Sequence, residues 1–177
     1  MSLDGVGAGP DVPNVVNVVI EIPANTGPVK YEVDKATGAL FVDRFLSTSM
    51  FYPCNYGYVP DTLAADGDPL DVIVITPHTL LSGVVIPCRL VGVLRMEDEA
   101  GDDAKCLGVP ADHLTPLYQD VRDIGDVSES LLSTIEHFFV HYKDLEKDKW
   151  VKTRGWGDAS EARAELEASL AEYRSDR

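Results

Sequence analysis

The sequence predicts a mainly β fold with two helices near its C-terminal end, an α+β arrangement. Short runs of apolar and β-branched residues recur through the first two-thirds of the chain. Turn-forming residues separate these runs, and a helical period appears only after Asp126. Many short strands followed by helices are typical of a small β-barrel or a strongly curved sheet with helices packed outside.

The predicted strands share a β-branched composition or an alternation of apolar and polar residues. Their connections, such as "DKATG" (34–38) and "PDTLAADGDP" (60–69), are rich in turn residues. The strands are "NVVNVVIEI" (14–22), "VKYEV" (29–33), "ALFVDRF" (39–45), "DVIVIT" (71–76), "CRLVGVLRM" (88–96) and "AKCLGV" (104–109).

Two amphipathic helices are predicted after the strands. The first has Asp126 as its N-cap, with Glu129 three residues later, and the second has Asp158 as its N-cap. The apolar stripe of the first helix is Val127, Leu131, Ile135, Phe138, Tyr142 and Leu145, and that of the second is Ala162, Leu166, Leu170 and Tyr173.

The length of 177 residues fits one domain with a sizeable core. We expect residues 1–177 to form a single domain, with strands at about 14–110 and a helical part at about 126–174. No stretch of the chain has the composition of an interdomain linker.

The net charge of −15 argues against a protein that holds nucleic acid by neutralising phosphates, and it disfavours an anionic membrane surface. The N-terminal "MSLDGVGAGPDVPN" has no export signal, so we expect a cytoplasmic protein. Three cysteines, Cys54, Cys88 and Cys106, fit no zinc or redox spacing, and we expect them to be reduced thiols that pack as small apolar residues.

The stretch "ADGDPLDVIVIT" sets Asp66, Asp68 and Asp71 around a proline at the start of an apolar strand. Carboxylates this close together repel one another unless a cation lies between them. A calcium-binding EF-hand loop is excluded, because Leu70 and Asp71 stand where it needs an oxygen ligand and a glycine. A turn and a metal site both remain open for this stretch.

A second acidic cluster, "MEDEAGDDAK" (96–105), also follows an apolar strand. Two acidic strand ends in one barrel can face each other. Oxygen ligands without paired Cys or His favour magnesium or manganese over zinc. Asp98 and Asp103 are the candidate ligands, whereas we expect Glu97, Glu99 and Asp102 to be solvated turn residues.

Cations and tyrosines alternate with these acids along the chain, and a site of mixed charge suits a metal-bound polyanion. The cations are Lys30, Arg44, Lys105 and Lys143, and the tyrosines are Tyr52, Tyr56 and Tyr58.

The segment "DGDPLDV" resembles the signature of the soluble, magnesium-dependent inorganic pyrophosphatases of family I. Further segments resemble the bacterial type in order, from about residue 14 to residue 160. This resemblance implies an OB-like five-stranded β-barrel with two C-terminal helices packed outside. The further segments are "VIEIP", "PVKYE", "VDRF", "YPCNYGYVP", "VLRMEDEAGDDAK", "HFFVHYKDLE" and "WVK...GW".

The resemblance also implies a role for each matched acid. Asp66, Asp71 and Asp103 would ligate the activating magnesium ions, with Asp71 bridging two of them. Asp98 and Asp103 would take a metal that arrives with the substrate, and Glu32 would hold another through water. Asp68 would be the general base for the water between the activating ions.

The phosphate oxygens would be held by cations and tyrosines, with Tyr56 and Arg44 also taking part in catalysis. The substrate-binding set is Lys30, Arg44, Tyr56, Lys105, Tyr142 and Lys143, and the supporting positions are Glu21, Tyr52 and Lys149.

The activity implied by the resemblance is hydrolysis of pyrophosphate to two orthophosphates by a metal-activated water. Several Mg²⁺ ions would occupy each site, with Mn²⁺ or other divalent ions possible, because an acidic site can receive a compact polyanion only through such ions. The resemblance further implies a homo-oligomer, a hexamer in bacterial relatives, for which we consider the helical third of the chain as an interface.

Two alternatives remain open on the residues alone. The same carboxylates could serve a metal-dependent phosphatase that acts on nucleotides or other phosphoesters, which would need a pocket for an organic group. A non-enzymatic OB module that binds cations or nucleic acid is the other alternative, although the net charge opposes nucleic acid.

Overall fold

The computed structural model describes residues 3, 5–34 and 36–176. Two short 3₁₀ helices, Pro116–Tyr118 and Ile124–Asp126, precede the first α-helix. The strands and helices are β1 (Val16–Ile22), β2 (Val29–Val33), β3 (Leu40–Phe45), β4 (Asn55–Tyr58), β5 (Asp71–Val74), β6 (Val85–Asp98), β7 (Gly101–Pro110), α1 (Glu129–His141), β8 (Val151–Gly157) and α2 (Ala159–Ser175).

Five strands close into a ring in the order β1-β4-β5-β7-β6, because β1 pairs with both β4 and β6. Strand β8 extends the sheet on the far side of β6, and β2 and β3 form a separate hairpin. Only β5 and β7 pair in parallel among these strands. The predicted fold class, mainly β with two C-terminal helices, is confirmed.

The long strand β6 curves enough to pair with three other strands. Its first residues pair with β1 and its last with β8, while β7 follows most of its length. The register shifts between Leu90 and Gly92 and again between Arg95 and Met96. Such irregularities bend a strand and increase its twist, which allows the ring to close.

Helix α1 begins later than the sequence predicted. Its N-cap is Ser128, whose hydroxyl accepts from the backbone N–H of Leu131. The prediction of Asp126 as N-cap is wrong, because its carboxylate accepts instead from the backbone N–H groups of Arg122 and Asp123. The helix ends at His141, so Leu145 lies beyond it and is exposed.

Helix α2 begins where the sequence predicted. Asp158 is its N-cap and forms a reciprocal capping box with Glu161. Its apolar stripe is buried at Ala162, Leu166 and Leu170, which pack on one face of the sheet. Residues of α1 pack in a second core cluster with β7 and the tyrosines near β4.

Two strands were missed by the sequence prediction, β4 and β8. Strand β4 lies in a segment whose proline, asparagine and glycine favour turns. Its Gly57 is needed because β1 passes so close that a Cβ would lie 1.9 Å from the carbonyl oxygen of Val19. Strand β8 contains two glycines and lies inside the part predicted as helical.

All three cysteines are buried and unpaired, in agreement with the expectation of small apolar residues. In the part of the chain that the structure describes, no helix is both long and apolar enough to cross a membrane.

Candidate active site

The two acidic clusters lie at the same end of the ring because β5 and β7 are parallel neighbours. Residues 59–70, which we call the 59–70 loop, connect β4 to β5 and carry Asp66 and Asp68. The second cluster lies on the β6–β7 hairpin. Asp71, the first residue of β5, is directly opposite Lys105 of β7 in the strand register. The fold therefore joins two acidic segments that are distant in sequence.

Lys105 forms the centre of this arrangement. Its Nζ lies 2.7 Å from Oδ2 of Asp71 and 2.8 Å from Oδ1 of Asp103. The side chain is only 5% exposed and its Nζ lies 5.6 Å from the centroid of the Tyr56 ring and 5.9 Å from that of Phe139. Burial acts to lower the pKa of Lys105, but the carboxylates raise it well above its ordinary value. The ammonium is therefore charged and orients both acids.

Asp66 lies beside the same group of charges. Burial raises the pKa of its carboxyl, and the carboxylates of Asp103 and Asp71 raise it further. One of its oxygens accepts from the backbone N–H of Asp68 at 3.0 Å. The carboxylates of Asp66, Asp71 and Asp103 together carry more negative charge than Lys105 neutralises. This excess favours the binding of a cation.

The donor groups at this point fit a hard divalent ion, because they are all carboxylate oxygens. Among the described residues, no three acidic, histidine or cysteine groups are already spaced around one point as ligands. Lys105 is at present the counter-ion of Asp71 and Asp103. The chemistry of the donors and the rise in the pKa of Asp66 nevertheless agree with a divalent metal there.

The β2–β3 hairpin faces the 59–70 loop across a cavity of about 90 Å³. Lys30 forms an ion pair with Glu32 and lies 3.6 Å from Asp43 on the neighbouring strand. The charged and tyrosine walls of the cavity are Glu21, Lys30, Glu32, Tyr56, Tyr58, Asp68 and Asp71.

Glu21 joins the hairpin to the ring. Its Oε1 accepts from the backbone N–H of Val33 at 2.8 Å, and the residue is 8% exposed. Burial raises the pKa of Glu21 to about 8, and the nearby carboxylates of Asp71 and Glu32 also raise it. Glu21 is therefore protonated at neutral pH in the metal-free protein and anchors the end of β2.

A second group forms where the β6–β7 hairpin meets the end of α1. Lys143 donates to Oδ2 of Asp98 at 2.7 Å, and its side chain is 7% exposed. Burial acts to raise the pKa of Asp98, but the hydrogen bond from Lys143 brings it below its ordinary value. Asp98 is therefore an ionised acid with a buried cationic partner.

The other acids of this hairpin differ in their surroundings. Glu97 and Asp102 pair with Arg154 at 2.6 and 2.9 Å on the exposed side of β8, as expected of surface residues. Glu99 lies in the turn of the hairpin and is exposed, as expected, but it also has cationic neighbours. It lies 3.5 Å from both Lys143 and Lys149, because the turn folds towards the end of α1.

Two acids that the sequence prediction missed contact Arg44 of β3. Nε of Arg44 lies 3.7 Å from Oε1 of Glu146, and its Nη1 lies 3.7 Å from Oδ2 of Asp43. Glu146 also lies 3.8 Å from Lys149. Its position between Lys143 and Lys149 in the sequence was the available signal, but only the fold places it against a strand.

Aromatic residues form the floor beneath these charges. The rings of Tyr52 and Tyr56 lie 5.4 Å apart, and Tyr142 stacks on Phe138 at 5.3 Å. Burial raises the pKa of Tyr52, Tyr56 and Tyr142, so all three remain phenols that can donate hydrogen bonds. Phe139, which the sequence prediction did not single out, packs under Lys105.

Tyr142 is close enough to three lysines of the site to interact with their charges. The charges of Lys105, Lys143 and Lys30 all act to lower the pKa of its hydroxyl. Lys149 lies at the margin and contacts only the acids Glu99 and Glu146 in the ion pairs described above. The fold thus gathers acids, cations and phenols at one end of the ring, an arrangement suited to a polyanion bound together with metal ions.

The chain is similar in sequence and fold to known proteins. The family model described as inorganic pyrophosphatase matches residues 18–174. The inorganic pyrophosphatases of Yersinia pestis and Escherichia coli (strain K12) are each 60% identical over 170 residues, 96% of this chain and 97% of each relative. The solved structure of an inorganic pyrophosphatase from Coxiella burnetii has a TM-score of 0.92 at 52% identity, covering 95% of this chain and 99% of that one. The chain therefore belongs to the inorganic pyrophosphatase family.

Proposed function

We propose that this enzyme hydrolyses inorganic pyrophosphate to two orthophosphates with the help of several magnesium ions. The observation that carries the proposal is the buried Lys105 ammonium between Asp71 and Asp103, with Asp66 beside them. Membership of the family implies a requirement for a divalent metal. Magnesium is the metal proposed here because all the donors are hard oxygens, and manganese has similar preferences.

Cationic side chains and phenols would bind the substrate oxygens. The lining of the cavity between the β2–β3 hairpin and the 59–70 loop, which includes the charged Lys30 and Asp71 and the phenol of Tyr56, supports a compact polyanion over a substrate with an organic group. Arg44 and Lys143 lie on two sides of the site, so they could neutralise the charge that develops on a leaving phosphate. The binding set is Lys30, Arg44, Tyr56, Lys105, Tyr142 and Lys143.

Carboxylates from the 59–70 loop and from β2, β5, β6 and β7 would hold the metal ions. Asp66, Asp71 and Asp103 would ligate the activating ions, Asp98 would join Asp103 for an ion that comes with the substrate, and Glu32 would act through water. When bound, such ions neutralise phosphate oxygens and lower the pKa of water from about 15.7 towards neutrality.

Asp68 would act as the general base. It lines the same cavity as Asp71 and Lys30 and belongs to the exposed part of the 59–70 loop. From there its carboxylate could take the proton of the attacking water while Asp71 remains oriented by Lys105. Glu21, Tyr52 and Lys149 would support the site by fixing β2, the aromatic floor and Glu99.

We further propose a homo-oligomer, a hexamer by resemblance, with the β2–β3 hairpin in the interface. Exposed apolar side chains concentrate on this hairpin, and such patches mark association surfaces. Among the described residues, neither α1 nor α2 contributes a large exposed hydrophobic residue, so the hairpin is favoured over the helical third. The patch consists of Leu40, Phe41, Val42, Phe45 and the nearby Phe51.

The test is phosphate release from pyrophosphate at neutral to mildly alkaline pH, with magnesium titrated from zero and a chelator control. ATP and a simple phosphoester serve as comparison substrates. We expect rapid, magnesium-dependent release from pyrophosphate alone. Activity on an organic phosphate without activity on pyrophosphate would favour the phosphatase alternative, and metal binding without any hydrolysis would favour the binding module.

A further inference from the structure

The two ends of the 59–70 loop, Val59 and Leu70, form what we call its neck. The buried hydroxyl of Thr62 joins them. Oγ1 of Thr62 donates to the carbonyl oxygen of Val59 at 2.5 Å and accepts from the backbone N–H of Leu70 at 2.9 Å. The backbone N–H of Val59 also donates to the carbonyl oxygen of Leu70 at 2.9 Å. Val59 and Leu70 are fully buried and Thr62 is 2% exposed, so water cannot replace these bonds easily.

The rest of the loop is compact above this neck. The backbone N–H of Ala64 donates to the carbonyl oxygen of Asp68 at 2.7 Å, and that of Gly67 donates to Ala64 at 3.0 Å. The backbone N–H of Leu63 donates to the carbonyl oxygen of Ser169 in α2 at 2.9 Å. Asp66 and Asp68 themselves are exposed. The acids thus sit on a closed loop whose base is tied by the Thr62 side chain.

The position of the loop decides how far Asp66 lies from the other proposed ligands. The carboxylates of Asp66, Asp71 and Asp103 repel one another, and the first of them is carried by the loop while the others belong to β5 and β7. Two hydrogen bonds made in a buried neck resist this repulsion. Loss of the hydroxyl would leave a buried N–H and a buried carbonyl without that partner.

We propose that Thr62 is a positioning residue, whose hydroxyl holds Asp66 and Asp68 in place relative to Asp71 and thereby sets the affinity for the metal. This inference rests on the proposed function, since it assigns metal binding to these carboxylates. Thr62 itself touches neither the metal nor the substrate. It acts through the ends of the loop.

The test compares Thr62→Val, which removes the hydroxyl, with Thr62→Ser, which keeps the hydroxyl and removes a buried methyl. Binding of Mn²⁺ in the absence of pyrophosphate is measured by electron paramagnetic resonance. We expect the affinity of T62V for Mn²⁺ to fall about tenfold, because both hydrogen bonds of the hydroxyl are lost. We expect T62S to stay within about twofold of the wild type even though it also loses stability.

A purely structural role would lower the melting temperature of both variants without moving the Mn²⁺ titration at a temperature where they are folded. Equal Mn²⁺ affinity in folded T62V and wild type would therefore overturn the inference. Hydrogen exchange on the wild type gives a readout that does not depend on the variants folding. We expect the Leu70 amide to be as protected as the amides of β5, and exchange at the rate of an exposed loop would refute the role of Thr62.

The two proposals fail in different ways. A wild-type protein that neither binds Mn²⁺ nor hydrolyses pyrophosphate would contradict the proposed function. A wild-type protein that does both, beside a T62V variant that matches it, would contradict only the role of Thr62.

Discussion

Asp68 and Asp71 are three residues apart but have different surroundings, so asparagine at each position has a different expected result. We predict that Asp68→Asn folds and binds metal but loses turnover about a hundredfold or more, because the proton acceptor is gone. We predict that Asp71→Asn instead loses metal affinity, since this carboxylate, oriented by Lys105, is a proposed ligand. Steady-state kinetics and Mn²⁺ titration separate the two effects.

Asp102→Asn is the matched control for this pair. Asp102 precedes a proposed ligand but pairs with Arg154 on the surface, so its loss should leave both kcat and metal affinity near the wild-type values. An equal loss of Mn²⁺ affinity in D68N and D71N, or a D68N variant with near wild-type turnover, would contradict the proposed division of roles.

The buried Glu21 gives a prediction about pH. Its pKa is raised from an ordinary value of 4.5 to about 8, so between these values the folded protein keeps a proton that the unfolded chain releases. This contribution to stability is complete below pH 4.5 and is lost as the pH rises towards 8, with a limiting slope of about 1.4 kcal/mol per pH unit. Glu21→Gln removes the titrating group and keeps an oxygen for the N–H of Val33.

We therefore expect the free energy of unfolding of E21Q, relative to the wild type, to increase steadily between pH 5 and 8 and then level off. Urea unfolding of the metal-free protein at fixed concentration, with chelator present, measures this difference. A difference that does not change with pH would show that Glu21 is ionised in the folded protein.

At the scale of strands and helices, Gly57 of β4 is the position where packing leaves no room. A Cβ there would lie 1.9 Å from the carbonyl oxygen of Val19, so β1 and β4 could not keep their pairing. We predict that Gly57→Ala destabilises the protein by at least about 3 kcal/mol or prevents folding. Gly125→Ala, where a Cβ meets nothing within 4 Å, is the control and should keep a near wild-type melting temperature. A stable G57A protein would mean that β1 and β4 can separate.

Strand β4 also shows how far the fold could be predicted from the sequence. Alternating β-branched runs indicated β1, β2, β3 and β5 because their side chains follow the period of a strand. Strands β4 and β8 were missed because pairing with neighbouring strands, rather than their own glycine-containing sequences, fixes their conformation.

The residues of the candidate site could also be predicted only in part from the sequence. Asp66, Asp71 and Asp103 could be predicted from acidic clusters at strand ends, and the resemblance supplied individual roles for them. Glu146 and Asp43 could not, because an acid on the surface and an acid against a half-buried arginine look alike in sequence. Glu99 is an exposed turn residue, as expected, but its two lysine neighbours could not be predicted, since only the docking of the hairpin on the end of α1 brings them to it.

At the scale of the whole molecule, the net charge of −15 opposes association, so an assembly needs apolar contacts that outweigh this repulsion. Phe45 on the β2–β3 hairpin and Leu145 after α1 are both 76% exposed, which makes them a matched pair. We predict that Phe45→Ser dissociates the homo-oligomer at concentrations where the wild type and Leu145→Ser remain assembled. Light scattering coupled to size-exclusion chromatography measures the mass, and added salt should favour assembly by screening the charge. A monomeric wild type would refute the homo-oligomer, and an F45S variant as fully assembled as L145S would remove Phe45 from the interface.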